Sequence, residues 1–302
     1  MSLNMPYQLR ATDVVRHIIN VDSRFRDTPA NSTATDFQFT LPSPIRNILR
    51  IRVTSIEFPN NYYFFTEMRK NISFQVLHGT SCCKVIDIPD GNYTACEMEA
   101  AINDSLVGAG LSWLTVSFNE ITGQFTFSGN QSFAIDTTCM TYDRPYDYGL
   151  GYYLGFTRGG HVATGSGTSY KLTSDGCANF SGDSYVFLKV NDYVCVTHPI
   201  RIYNPAGTTI VDTTYLNALA KIILREPKNY MAFDDYASQH IKEVVFPSPT
   251  DILKFRIQVV DAYGNEIDLC SAQWSFSMEI MEVRNSHLYT TIRDSLTTAQ
   301  YR

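Results

Sequence analysis

The stretch Pro42-Ser-Pro-Ile-Arg-Asn-Ile-Leu-Arg-Ile-Arg-Val-Thr-Ser-Ile-Glu-Phe-Pro59 alternates from Leu49 onward. Leu49, Ile51, Val53 and Ser55 fall on one side; Arg50, Arg52, Thr54 and Ile56 fall on the other. A period of two marks a half-buried antiparallel strand, entered here from a proline turn and closed by Pro59. The same grammar returns near the other end. Phe246-Pro-Ser-Pro249 precedes Ile252-Leu-Lys-Phe-Arg-Ile257-Gln-Val-Val260. Two such copies imply one sheet system whose outer elements come from both ends of the chain, a topology of β-sandwiches.

Working outward, Asp36-Phe-Gln-Phe-Thr-Leu41 alternates as a first core strand. Ile72–Leu77 and Lys84–Ile88 form a hairpin around His78-Gly79, and Leu114–Phe118 pairs with Gln124–Ser128 across the turn Glu120-Ile-Thr-Gly123. Strand patterns return at Tyr185–Val190, Tyr193–Val196 and Ala220–Leu224, and Trp274–Val283 closes the domain after the turn Asp261-Ala-Tyr-Gly-Asn265. One helix is expected, Thr94 to Val107. Thr94 and Glu97 make a capping box, Met98, Ala101, Ile102 and Leu106 share a face, and Gly108 and Gly110 end it. Regular pattern is scarce over 129–183, a Tyr- and Gly-rich segment with one apolar knot at Leu154-Gly-Phe156; part strand and part exposed contact loop are expected there. Residues 1–34 read as an N-terminal arm that docks on its own sandwich or on a neighbour, and 284–302 as a polar C-terminal tail.

The expected fold is therefore all-β, with a domain over 35–283 that carries the 129–183 insertion, one short amphipathic helix, long loops and extended terminal arms. Composition agrees. Hydrophobic residues at 44% suffice for a core, and 19 Tyr and 18 Phe suit broad sheets and protein contacts. A net charge of −6 without any Lys/Arg run argues against specific nucleic-acid binding; Arg50 and Arg52 are expected as a solvent-facing pair.

Seven cysteines without a CxxC read as reduced thiols of a protein made in the cytosol. The N-terminus has no apolar signal core, and no apolar run is long enough to span a membrane. Six Asn-x-Ser/Thr matches, at Asn31, Asn71, Asn92, Asn103, Asn130 and Asn179, matter only if some other machinery glycosylates the chain.

No catalytic constellation is visible. The six histidines are scattered, there is no HExxH, GxSxG or P-loop, and no metal or cofactor site is expected. Asp234-Asp235 reads as a solvated turn, and Glu279 and Glu282 face solvent by alternation.

Several segments in order carry a family resemblance: Ile19-Asn-Val-Asp-Ser-Arg-Phe-Arg-Asp27; Asp36-Phe-Gln-Phe; Leu41-Pro-Ser-Pro-Ile, with its strand ending Ser55-Ile-Glu-Phe-Pro-Asn-Asn-Tyr-Tyr63; Ile88-Pro-Asp-Gly-Asn-Tyr-Thr before a helix with Ala101-Ile-Asn103; Leu154-Gly-Phe; and Asp261-Ala-Tyr-Gly-Asn. The chain resembles the jelly-roll penton and minor capsid proteins of nucleocytoplasmic large DNA viruses, the group that includes the chloroviruses. The resemblance implies a single jelly-roll β-sandwich, made in the host cytoplasm and built into the virion. Its copies would form pentamers at fivefold vertices and meet major and minor capsid proteins. It implies no enzyme and no cofactor. Subunit-contact candidates are Arg24, Phe25 and Arg26 in the arm, Tyr146, Tyr148, Tyr152 and Tyr153 in the Tyr-rich segment, and Tyr289 in the tail. A minor capsid protein that cements capsomers is the nearest alternative. A carbohydrate-binding attachment sandwich using the aromatic, Gly-rich loop 142–156 is another, and a glycan hydrolase comes last.

Overall fold

A computed structural model describes residues 10, 12–79, 82–138, 148–191, 196–203, 210–224, 230–234 and 243–300. The architecture is all-β, and the chain divides into two compact units. In chain order the strands are β1 (Val14–Asp22), β2 (Asp36–Pro59), β3 (Ser73–His78), β4 (Cys82–Asp87), β5 (Leu114–Asn119), β6 (Gln124–Gly129), β7 (Phe133–Asp136), β8 (Gly160–Val162), β9 (Thr164–Ser166), β10 (Ser169–Thr173), β11 (Tyr185–Val190), β12 (Val196–Tyr203), β13 (Ile210–Ala218), β14 (Ala220–Ile223), β15 (Met231–Asp234), β16 (Glu243–Val260) and β17 (Ser275–Val283). The helices are α1 (Ala95–Gly108), α2 (Leu150–Tyr153) and α3 (Tyr289–Gln300).

The first unit comprises 1–62, 183–198 and 216–302. Its seven-stranded sheet runs β1-β17-β2-β16-β11-β14, with β15 also on β2. The two Pro-Ser-Pro segments lie on β2 and β16, which pair antiparallel side by side. Proline cannot donate to a ladder, so both segments fall where the register shifts, between Thr40–Lys254 and Arg50–Val245.

Two bulges on the β17 side of β2 correct the simple alternation. Met281 and Glu282 face Arg50 and Ile48, so Leu49 is the extra residue; Ser277 and Met278 face Ser55 and Val53, so Thr54 is extra. Each extra residue flips the strand by one face. Ile48, Ile51, Val53, Ile56 and Phe58 therefore all enter the main core, whereas the alternation assigned Ile56 to the polar side. Leu49 turns to the other face, where Met281, Val283, Tyr289 and Ile292 cover it.

That second cluster exists because 284–300 is not an extended tail. After a 3-10 turn capped by the Asn285 side chain, α3 packs Tyr289 and Ile292 against the sheet. Two apolar anchors less than a turn apart make too short a period to read as a helix. The N-terminal segment also belongs to the frame: β1 pairs with β17 over nine residues, and Val21 and Ser23 are fully buried. Asp261, also fully buried, closes its turn by accepting from Tyr263 N, Asn265 N and Asn265 Nδ2, each at 2.8 Å.

The second unit comprises 63–182 and 199–215. Two four-stranded sheets, β4-β3-β7-β8 and β5-β6-β10-β9, share one core with α1. Phe74, Val76, Phe133 and Ile135 come from the first sheet, Val116, Phe125 and Phe127 from the second, and Met98, Ile102 and Leu106 from α1. The capping box is formed as read: Glu97 N donates to Thr94 Oγ1 (3.3 Å) and Thr94 N to Glu97 Oε2 (2.8 Å), which holds the Glu97 carboxyl below its usual range. The segment 148–156 is not a free loop. Leu150, Leu154 and Phe156 enter this core, and Gly155 (φ +91°) lies so close to Gly176 that a Cβ would sit 2.3 Å from its carbonyl oxygen. A two-stranded ribbon, β12 with β13, completes the described elements.

Candidate assembly surface

Among the described residues β1 is an edge strand of the first unit's sheet. Arg16, Ile18 and Asn20 point outward, while Val15, His17 and Ile19 are half-buried. His17 Nε2 lies 2.7 Å from Glu282 Oε2 and ties the edge to β17, so neither residue stands alone as the sequence suggested. Ile18 is 78% exposed.

A braced turn follows. Asp22 accepts from Arg24 N at 2.9 Å and from the Arg24 side chain, Nε at 3.0 Å. The Arg24 guanidinium holds the Asp22 carboxyl below the usual carboxylate range against the opposing effect of burial. Arg26 Nη1 donates to the Ser23 carbonyl (2.7 Å) and Nε to Ser32 Oγ (3.1 Å). Between them Phe25 is 71% exposed, with the Arg24 guanidinium 5.7 Å from its ring centre.

Of the contact candidates, then, Arg24 and Phe25 are at the surface and Arg26 braces their turn. Tyr152 is 39% exposed. Tyr148, Tyr153 and Tyr289 are buried in their own units and have no free face for a partner. The Tyr148 hydroxyl donates to the Arg69 carbonyl. The Tyr153 ring meets Phe64 and Phe65 edge-on at 4.9 and 5.5 Å. Tyr146 lies outside the described residues. The sugar platform imagined over 142–156 loses its described aromatics to the core, except Tyr152.

Arg50 is not solvent-facing. Its side chain is 13% exposed, 2.9 Å from Glu279 and 3.6 Å from Glu243. Arg50 and Glu279, both expected in solvent, thus pair with each other across β2 and β17, and Glu243 joins them from β16. A polar groove of about 440 Å³ lies beside Thr33, Asp36, Arg256 and Glu266. Asp36 is held below the usual carboxylate range by its hydrogen bond from Arg256 (2.8 Å), with Gln258 adding a second (3.0 Å), and Glu266 accepts from Thr33 (2.7 Å). Among the described residues no three His, Cys, Asp or Glu side chains gather as a metal site. Asp235 lies outside the described residues. Cys83, Cys96, Cys177 and Cys270 are free thiols.

Sequence reading missed the exposed apolar side chains of the second unit. Ile121, in a hairpin turn, is 97% exposed; Val162 is 70%, Val85 42% and Leu77 38% exposed. The signals were an isoleucine in a turn and the adjacent apolar pair Val76-Leu77, which breaks alternation.

Residues 9–140 match a family model described as a family of unknown function (DUF5901). No curated protein matches by sequence. The chain is similar to the selenomethionine-labelled crystal structure of the mavirus penton protein, at 11% identity and a TM-score of 0.44, covering 90% of this chain and 99% of that one. It is also similar to a chain in the 3.5 Å electron cryo-microscopy structure of the Sputnik virophage, at 12% identity and a TM-score of 0.39, covering 89% and 98%. At these values neither similarity assigns this chain a function. No helix among the described residues is long and apolar enough to cross a membrane.

Proposed function

We propose that this chain is a structural capsid protein of a large icosahedral DNA virus, a penton that forms pentamers at fivefold vertices and resides in the virion. The observation that carries the reading is the outer edge of the first unit's sheet. Ile18 and Phe25 are exposed beside an edge strand, and the Asp22–Arg24 pair and Arg26 fix the turn between that strand and the polar segment beyond. An exposed edge with apolar side chains is a template for pairing with another chain, which monomeric proteins normally blunt. Such an edge suits a block built to meet neighbouring capsid proteins. The segments behind the family resemblance support the same reading, because they are frame: the first half of β2, the bulged strand, the capped α1 and the Asp261 turn.

The test is incorporation. The double variant Ile18→Asp, Phe25→Asp changes two exposed side chains, so the chain should fold, with an unchanged circular-dichroism spectrum. It should fail to enter particles when it replaces the wild-type chain. Normal incorporation of the variant would overturn the role given to this edge. A wild-type chain that enters particles as a monomer would favour the cement role over the penton.

A further inference from the structure

The open side of β1 carries a defined set of backbone groups. At the two ends of its ladder Arg284 N donates to the Asp13 carbonyl and Ser23 N to the Trp274 carbonyl, each at 3.0 Å. The register is unbroken from Val14–Val283 to Asp22–Ser275, and antiparallel backbone groups alternate in direction. Odd-numbered residues of β1 therefore bond to β17, and Arg16, Ile18 and Asn20 turn their N–H and C=O groups to the open side. Among the described residues no strand pairs with that side. The side chains of these three residues share the sheet's outer face, where Ile18 is 78% exposed. Val14, on the same face, is buried in the cluster of Leu49, Met281 and Tyr289.

The chain enters β1 through a reversal. Asp13 N donates to the Arg10 carbonyl (3.0 Å) and Arg10 N to the Asp13 carboxylate (2.9 Å), so the backbone turns over 10–13 just before the strand begins. Residues 1–9 lie outside the described residues, and their sequence is Met-Ser-Leu-Asn-Met-Pro-Tyr-Gln-Leu. Every odd position is apolar and every even one is polar or proline, the period of a strand with one covered face.

We propose that residues 1–9 fold back through this turn as the strand that covers the β1 edge. Resting on the capsid reading, the pairing gives that reading's contact edge its regulation. The free chain blunts the edge with its own terminus, and a neighbouring capsid protein takes that place on assembly.

A four-residue loop over 10–13 sets Leu9 opposite Val14, Tyr7 opposite Arg16, Met5 opposite Ile18 and Leu3 opposite Asn20. Two features agree with this register. Leu9 falls beside the Val14 cluster and Met5 beside the exposed Ile18, so the apolar side of the segment meets the apolar side of the edge. Pro6 falls opposite His17, an odd-numbered residue whose backbone is engaged by β17. The missing N–H of Pro6 then faces solvent, the side of an edge strand that tolerates proline. A slip of one residue would turn Pro6 toward β1 and the apolar side chains away from Ile18.

The test is amide hydrogen exchange on the full chain, read residue by residue by mass spectrometry with electron-transfer fragmentation. The amides of Arg16, Ile18 and Asn20 should be protected, and equally so across a dilution series. Met5→Pro removes a donor that faces β1 and should speed their exchange by about tenfold, the worth of a hydrogen bond. Asn4→Pro, one residue away with its donor facing solvent, should leave their exchange nearly unchanged. Val15, His17 and Ile19 should exchange as in the wild type in both variants, since their amides bond to β17. Exchange of Arg16, Ile18 and Asn20 at the rate of an unpaired chain would overturn the pairing. So would equal effects of the two prolines, and so would protection that fades on dilution, which would put the segment on another copy. No particle is needed for any of these results, so each would leave the capsid reading standing.

Discussion

Tyr289 carries more of the first unit than a tail residue would. Its hydroxyl lies 3.0 Å from the Ile48 carbonyl, 3.0 Å from that of Phe246 and 2.9 Å from that of Ser248. All three carbonyls lie where β2 and β16 lose register, and the hydroxyl's single proton can donate to one of them at a time. Burial pushes the phenol pKa up to about 12. The folded state holds the neutral phenol, so this contribution is fully present below the unfolded value of about 10 and is lost as pH rises from there toward 12. Tyr289→Phe should cost about 1–3 kcal/mol in urea unfolding at neutral pH, the cost of leaving buried carbonyls unmet. The variant should also lack the wild type's extra loss of stability above about pH 10. A variant as stable as wild type at neutral pH would show that the three carbonyls find other donors.

At the scale of elements, what was legible follows from how far each signal reaches along the chain. The capping box of α1, the Asp261 turn and the strands flanking the two Pro-Ser-Pro segments are local, and each forms where it was read. The bulges at Leu49 and Thr54 are not local. They depend on β17, more than two hundred residues away, so Ile56 could not be assigned from β2 alone. The contact candidates suffered in the same way. Tyr148 and Tyr153 sit in a pattern-poor segment, and only the packing of 148–156 into a core shows them as interior. The arm is the sharpest case. The sequence allowed residues 1–34 to dock on their own sandwich or on a neighbour, and a removable arm would leave the fold intact. With β1 paired along β17 and Val21 in the main core, its removal bares the β17 edge and opens that core. A chain starting at residue 35 should therefore be destabilised by several kcal/mol and aggregate on expression. A soluble truncation with the wild-type melting temperature would return the arm to its detachable status.

At the scale of the molecule, the two units have separate cores. Under the proposed capsid role, the β1 edge of the first unit would meet neighbouring capsid proteins, and it lies on a sheet frame held by buried aromatic and aliphatic side chains. Rigid presentation lowers the entropy lost when copies meet. The claim on which all of this depends is self-assembly into a closed ring, and native mass spectrometry of the purified full chain tests it most directly. The account predicts a discrete species at five times the 34.1 kDa chain mass that grows with concentration. A spectrum holding only the single 34.1 kDa chain at every concentration would contradict it.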